Sequence, residues 1–185
     1  MLLNAVLLYY GGEDMKININ VKKLCEDAIM PVFAHPTDSG FDLFSCEDTT
    51  IEPKQTAIVP TGLAFELPSL WGVQIKNKSG ITTKGCPIVP THIQVGDVTS
   101  FTVKIKTFNK ADITVFEGTI DSGYRGQIGI MVKNEEDFKI IIPKHTKIAQ
   151  GVLRQVYQCS FTQVEKFTSE SDRGENGFGS TGDKL

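Results

Sequence analysis

The stretch Arg173-Gly-Glu-Asn-Gly-Phe-Gly-Ser-Thr-Gly182 holds four glycines, one arginine, one aromatic ring and a Ser-Thr pair. That composition cannot build a hydrophobic core, so it suits either a flexible tail or a ligand clamp. Glycines let the backbone approach a ligand closely and turn its N–H groups toward an anion. Arg173 supplies a planar fork for phosphate oxygens, Ser180 and Thr181 add hydroxyls, and Phe178 offers a face on which a base can stack. The combination points to phosphate together with a nucleobase. It is not a Walker loop, because no Gly-Lys-Ser/Thr follows and no strand-to-helix context surrounds it.

A second stretch, Gly118-Thr-Ile-Asp-Ser-Gly-Tyr-Arg-Gly126 followed by Gln-Ile-Gly-Ile-Met-Val, reads as a glycine-bounded hairpin entering a strand. Asp121 on that hairpin is either a turn residue, since Asp is common in turns, or a general base. Ser79 and Gly80, after Lys78, stand where a short helix would begin, and unpaired N–H groups there favour an anion.

The elements that must hold these residues are strands. Ile17, Ile19 and Val21 alternate with Asn18, Asn20 and Lys22, and Phe101, Val103 and Ile105 alternate with Thr102, Lys104 and Lys106. Further β-rich runs lie at Thr56–Pro60, Trp71–Lys76, Gln127–Lys133, Lys139–Ile142 and Gly151–Tyr157, punctuated by proline and glycine. The only helical candidate is one or two turns after Lys78-Ser79-Gly80. A mostly antiparallel all-β domain, barrel or jelly-roll-like, is expected. The 185 residues suit one domain, and 40% hydrophobic with 22% charged residues are ordinary globular values. The net charge of −3 offers no general attraction to nucleic acid, so phosphate binding must rely on a few local cations. No apolar run approaches the ~18 residues of a membrane span. Cys25, Cys46, Cys86 and Cys159 lack any CxxC pair, and reduced thiols in a cytoplasmic protein are expected. His35, His92 and His145 are isolated and read as surface or supporting residues.

Together the tail and hairpin resemble the trimeric deoxyuridine triphosphate nucleotidohydrolases, the dUTPases. Three more blocks of that family occur in the same order: Asp38-Ser-Gly-Phe-Asp-Leu43, Lys78-Ser-Gly-Ile-Thr-Thr-Lys84 and Lys147-Ile-Ala-Gln150. The resemblance implies a homotrimer that converts dUTP to dUMP and pyrophosphate by attack of water on the α-phosphate. It makes Asp121 the residue that activates the water and contacts the 3′-hydroxyl. Tyr124 would pack under the sugar and exclude a 2′-hydroxyl, while the backbone of the hairpin, with Gly118 and Ile120, would pair with uracil. Lys78, Ser79, Gly80 and Gln150 would contact phosphate, Lys78 standing where many members carry arginine. Asp42 would hold a hydrated Mg²⁺ that arrives with the nucleotide, and Asp38 would be a turn or cap residue. From the tail, Arg173, Phe178, Gly179, Ser180 and Thr181 would close over a neighbouring subunit's site. Gly151 replaces a usual bulky aliphatic residue, so looser packing is expected there.

A dCTP deaminase of the same fold would need a glutamate on the strand after the hairpin. Met131 occupies that position and cannot transfer a proton. The other departure is long: residues 86–117, Cys86 to Glu117, stand where the family has only a handful. Their alternating pattern suggests an ordered hairpin, whose ordering costs on the order of 30–50 kcal/mol at 1–2 per residue. Packing in the trimer is the preferred offset, with a protein partner, as for a viral or phage regulatory dUTPase, as the other reading. Residues 1–14 lack a basic start and a cleavage site, so export is not expected, and they are read as a translated leader or a disordered segment. Residues 15–168 form the domain, and 169–185 the C-terminal arm.

Overall fold

The computed structural model describes residues 16–95, 104–171 and 174. The proposed leader, the tip of the inserted segment and the tail residues Arg173, Phe178, Gly179, Ser180 and Thr181 lie outside them. Thirteen strands and one helix follow in order: β1 (Asn20–Lys23), β2 (Phe41–Phe44), β3 (Thr49–Ile51), β4 (Thr56–Pro60), β5 (Leu63–Glu66), β6 (Trp71–Lys76), α1 (Ser79–Lys84), β7 (Cys86–Val95), β8 (Lys104–Ala111), β9 (Ile113–Val115), β10 (Gly118–Asp121), β11 (Gly129–Asn134), β12 (Ile140–Ile142) and β13 (Lys147–Gln155). Every ladder is antiparallel. Among the described residues the all-β expectation holds, but the ladders divide into separate sheets of two to four strands and do not close into one barrel. No helix there is long and apolar enough to cross a membrane.

The largest sheet runs β10-β6-β13-β2 and carries most of the candidate chemistry. A second sheet, β4-β11-β9, closes the core from the other side. In β11 the expected alternation is plain: Ile130 and Val132 are fully buried, whereas Gly129 and Met131 face out. The same face buries Asn134, whose Nδ2 donates to the carbonyls of Ile51 and Phe138 while its Oδ1 accepts from the Glu136 N–H. A buried amide costs nothing when its hydrogen bonds are met. Each buried Val, Leu or Ile contributes about 1.5–3 kcal/mol, and Leu43, Val59, Val73, Ile140 and Ile148 all sit at zero exposure.

The short helix forms where expected. Thr82 and Thr83 bond back to the carbonyls of Lys78 and Ser79, a habit that weakens helices. Gly85, at φ 76°, then ends it with its N–H on the Ile81 carbonyl. From there the inserted segment leaves as the β7–β8 hairpin, paired from Cys86↔Ala111 to Val95↔Lys104. Its base is part of the core: Cys86, Ile88 and Ala111 are buried, and the Phe108 ring sits 4.8 Å from that of Phe138. The protomer itself therefore supplies part of the packing that orders the insertion.

Gly151 is a point of correction. No looseness surrounds it, because the Phe41 ring occupies the space a side chain would fill, lying within 2.3 Å of the position of a Cβ. Phe41 in turn makes edge contacts with Phe33 and Phe65 at 5.7 and 6.1 Å. The small residue and the large ring form a complementary pair across β13 and β2. Gly151→Leu should destabilise the protein by about 1–3 kcal/mol through overpacking, read as the urea midpoint. Adding Phe41→Val should recover part of the loss, and no recovery would contradict this packing account.

Candidate active site

β6 is hydrogen-bonded on both edges and organises two groups of candidate residues. On one edge lies β10, with Gly118 opposite Ile75, Ile120 opposite Val73 and Asp121 opposite Gly72. The hairpin that follows is held by its own backbone. Tyr124 N–H donates to the Asp121 carbonyl at 3.0 Å, and Arg125 Nη1 donates to the carbonyls of Ser122 and Tyr124 at 2.6 and 3.0 Å. Tyr124 Oη donates to the Gln127 carbonyl at 2.9 Å, which fixes the ring. A cavity of about 250 Å³ opens beside these residues, lined by Ile75, Gly118, Thr119, Ile120, Asp121 and Tyr124 together with Gln127, Ile128 and Gly129. Its floor is apolar and its rim carries backbone polar groups, the usual constitution of a small-ligand site. Among the described residues, nothing hydrogen-bonds or pairs with the exposed Asp121 carboxylate.

The second group gathers beyond the far end of β6. Asp42 in β2 is 1% exposed, and two lysines neutralise it: Lys78 Nζ at 2.7 Å from Oδ1 and Lys147 Nζ at 2.8 Å from Oδ2. The Lys78 contact is a directed hydrogen bond, whereas Lys147 makes a close ion pair outside hydrogen-bonding geometry. Gln150, paired with Asp42 across the ladder, extends Nε2 to 3.5 Å from Oδ1. Burial alone would raise the Asp42 carboxyl, but the close ammonium contacts and charges of Lys147 and Lys78 outweigh it and hold it below its ordinary 3.8. Ser79 and Gly80 open α1 next to Lys78, with Ser79 exposed.

Lys78, Ser79, Gly80, Gln150 and Asp42 are thus brought together, as are Gly118, Ile120, Asp121 and Tyr124. Gly118 and Gln150 flank neighbouring residues of β6, but Asp121 and the Lys78 turn lie toward its opposite ends. From Gly72, opposite Asp121, the chain runs six extended residues to Lys78, about 20 Å at 3.3 Å per residue. Lys147 escaped the list of candidates, although it opens a recognised block. Asp38 is a turn residue, as expected, its Oδ2 accepting from the His35 N–H. Met131 points outward opposite Ile58 and does not line the hairpin cavity.

For a metal, the donor set is spare. Among the described residues no three His, Cys, Asp or Glu side chains cluster. One buried carboxylate already paired with two ammonium groups does not fit a resident ion. It fits a hydrated ion that comes with phosphates, because their negative charge offsets the lysines. The same pairing predicts an acid limb for the metal-free protein. Asp42 contributes stability above its unfolded value of about 3.8, and that stability is lost as pH falls through the lower folded value. Asp42→Asn should cost about 1–3 kcal/mol near neutral pH, less than for a fully buried pair because Lys78 and Lys147 keep contact with solvent. Urea midpoints across the acid range should then show a shallower loss in the variant, and equal slopes would overturn the assignment.

Comparison with known proteins accords with this arrangement. The family model described as dUTPase matches residues 26–119 and 109–182. A Deoxyuridine 5'-triphosphate nucleotidohydrolase of Clostridioides difficile is 36% identical over 167 residues, spanning 89% of this chain and 98% of the relative. Its namesake from Clostridium tetani is 37% identical over 164 residues, spanning 89% and 96%. Among solved structures, the dUTPase of Staphylococcus bacteriophage 80alpha with dUPNHPP superposes with a TM-score of 0.71 at 28% identity, covering 89% of this chain and 98% of that one. A dUTPase of phage phi11 of S. aureus, described with a structural Mg(II) ion, has a TM-score of 0.64 at 24% identity, a likeness that speaks for the fold alone. It covers 82% of this chain and 99% of its own. On its sequence, its ladders and these matches, the chain belongs to the dUTPase family.

Proposed function

We infer that the chain is a dUTP diphosphatase, hydrolysing dUTP to dUMP and pyrophosphate. The observation that carries this reading is the hairpin cavity, where an unengaged carboxylate and a fixed tyrosine flank a small apolar floor with free backbone edges. Uracil is flat and small, and the backbone of Gly118–Ile120 offers it hydrogen bonds. Tyr124 sets the sugar against the ring and leaves no room for a 2′-hydroxyl. Asp121 takes a proton from water as the water oxygen bonds to the α-phosphorus. The bond to the bridging oxygen breaks, and pyrophosphate leaves with the electron pair. Ser79, Gly80, Lys78 and Gln150 bind the phosphates. Lys78 serves as a point charge rather than the two-pronged fork of arginine. Asp42 would hold a hydrated Mg²⁺ ion arriving with the triphosphate, which would offset the phosphate charge.

A homotrimer resolves the separation within one protomer. Water held by Asp121 must reach a phosphorus whose oxygens Ser79 and Gln150 hold, which about 20 Å along β6 forbids in a single chain. Hairpin and phosphate groups must therefore come from different subunits. The chain beyond β13 favours the same arrangement: Tyr157, Phe161 and Phe167 are 81%, 93% and 90% exposed, apolar surface that a neighbouring copy would cover. Residues 15–168 form the catalytic domain. Residues 169–185 form an arm in which Arg173, Gly179, Ser180 and Thr181 clamp phosphate and Phe178 stacks on uracil. The free thiols Cys25, Cys46, Cys86 and Cys159 suit a reducing cytoplasm.

The decisive measurement offers each dNTP with Mg²⁺ and follows pyrophosphate and the monophosphate; release from dCTP but not dUTP would sink the reading. Asp121→Asn should keep nucleotide affinity within about tenfold while the rate falls at least ~10²-fold. Loss of binding with an unchanged rate would make Asp121 a binding residue instead. Truncation after Thr168 should leave the fold intact and reduce turnover steeply, and an undiminished rate would remove the arm from the site.

A further inference from the structure

A cavity of about 470 Å³ lies between α1, the base of the β7–β8 arm and the turn before β13. Lys78, Lys84, Lys110, His145 and Lys147 line it, and no Asp or Glu does. Four lysines on one concave wall are unusual in a chain whose net charge is −3. Lys78 and Lys147 share the single counter-charge of Asp42. The ammonium groups of Lys84 and Lys110 make no hydrogen bond or ion pair among the described residues. His145 is turned toward Asp27, whose carbonyl lies 3.1 Å from Nε2. Asp112 and Glu136 line the adjoining groove with Lys84 and Lys110, and Glu136 is occupied by the Asp112 N–H. The cavity wall itself therefore carries ammonium groups and no carboxylate, while the carboxylates of Asp112 and Glu136 lie in the adjoining groove.

We propose that this cavity is a subsite for a condensed phosphate, with Lys84 and Lys110 as its anion-binding residues. Clustered ammonium groups repel one another, and a multiply charged anion with several acceptor oxygens relieves that repulsion. A condensed phosphate, with two or more phosphoryl groups, offers a longer span and more charge than a single sulfate to lysines on α1 and on the arm. The cavity shares Lys78 and Gly80 with the phosphate-contacting group and extends it toward the inserted arm. Lys110 belongs to that arm, so the insertion contributes directly to anion binding. Naming pyrophosphate or the terminal phosphates of the nucleotide as the natural anion rests on the proposed function, whereas the subsite itself does not.

Calorimetric titration of the full-length protein with inorganic pyrophosphate tests the subsite, with orthophosphate and sulfate as comparison ions. Pyrophosphate should bind most tightly, with affinity falling as salt rises. The Lys84→Gln/Lys110→Gln double variant should bind it at least about tenfold more weakly while keeping its melting temperature. Equal affinity in wild type and double variant overturns the proposal, as does sulfate binding as tightly as pyrophosphate. Steady-state kinetics then separates the two sources. A raised KM for dUTP assigns the subsite to the terminal phosphates, and selective loss of inhibition by pyrophosphate assigns it to the departing product. A wild-type protein inert toward dUTP that still loses pyrophosphate affinity in the double variant would retain the subsite and remove the proposed function.

Discussion

The antiparallel pairing of β6 on both of its edges is the constraint on which the site depends. One edge holds the Gly118–Asp121 strand, and the other holds β13 with Gln150 and Gly151. Since the rise per residue in a strand is nearly fixed, the hairpin and the Lys78–Gly80 turn are separated by a set distance. No side-chain adjustment can close that gap. The register thus places Asp121 and the Lys78 turn toward opposite ends of β6.

Asp42 couples the second half to the core. Its backbone sits in β2, where all four residues are buried, and its carboxylate gathers lysines from the start of α1 and the start of β13. A charge so placed is costly unless paired. The pairing fixes Lys78 beside Ser79 and draws Lys147 into the same neighbourhood, so two cations are held side by side by one buried carboxylate.

The strands at Thr56–Pro60 and Trp71–Lys76 and the glycine-framed hairpin were legible because period-two alternation and turn residues are local signals. So was the helix after Ser79, and the arm was readable as a hairpin from its alternating residues. The partnership of Lys147 with Asp42 was not, since it joins distant stretches and depends on ladder register. Likewise Gly151 invited a reading of loose packing that only the Phe41 ring corrects. Closure was also beyond reach: alternation tells which face is buried but not whether sheets join into one barrel or remain separate. The 20 Å separation of the two site halves follows from register alone, which motifs in linear order do not reveal.

The arm leaves and returns at Cys86 and Ala111, which are direct partners in a ladder. Everything upstream and downstream of it therefore meets across a single interstrand gap. The body of the fold registers only that closure and not the length of what hangs beyond it. Such a seam is a natural splice point: a hairpin of another length or sequence can be grafted there while the buried contacts of Cys86, Ile88 and Ala111 persist. Lineages sharing this fold can thus diversify one surface next to the lysine-lined cavity without reopening the problem of folding.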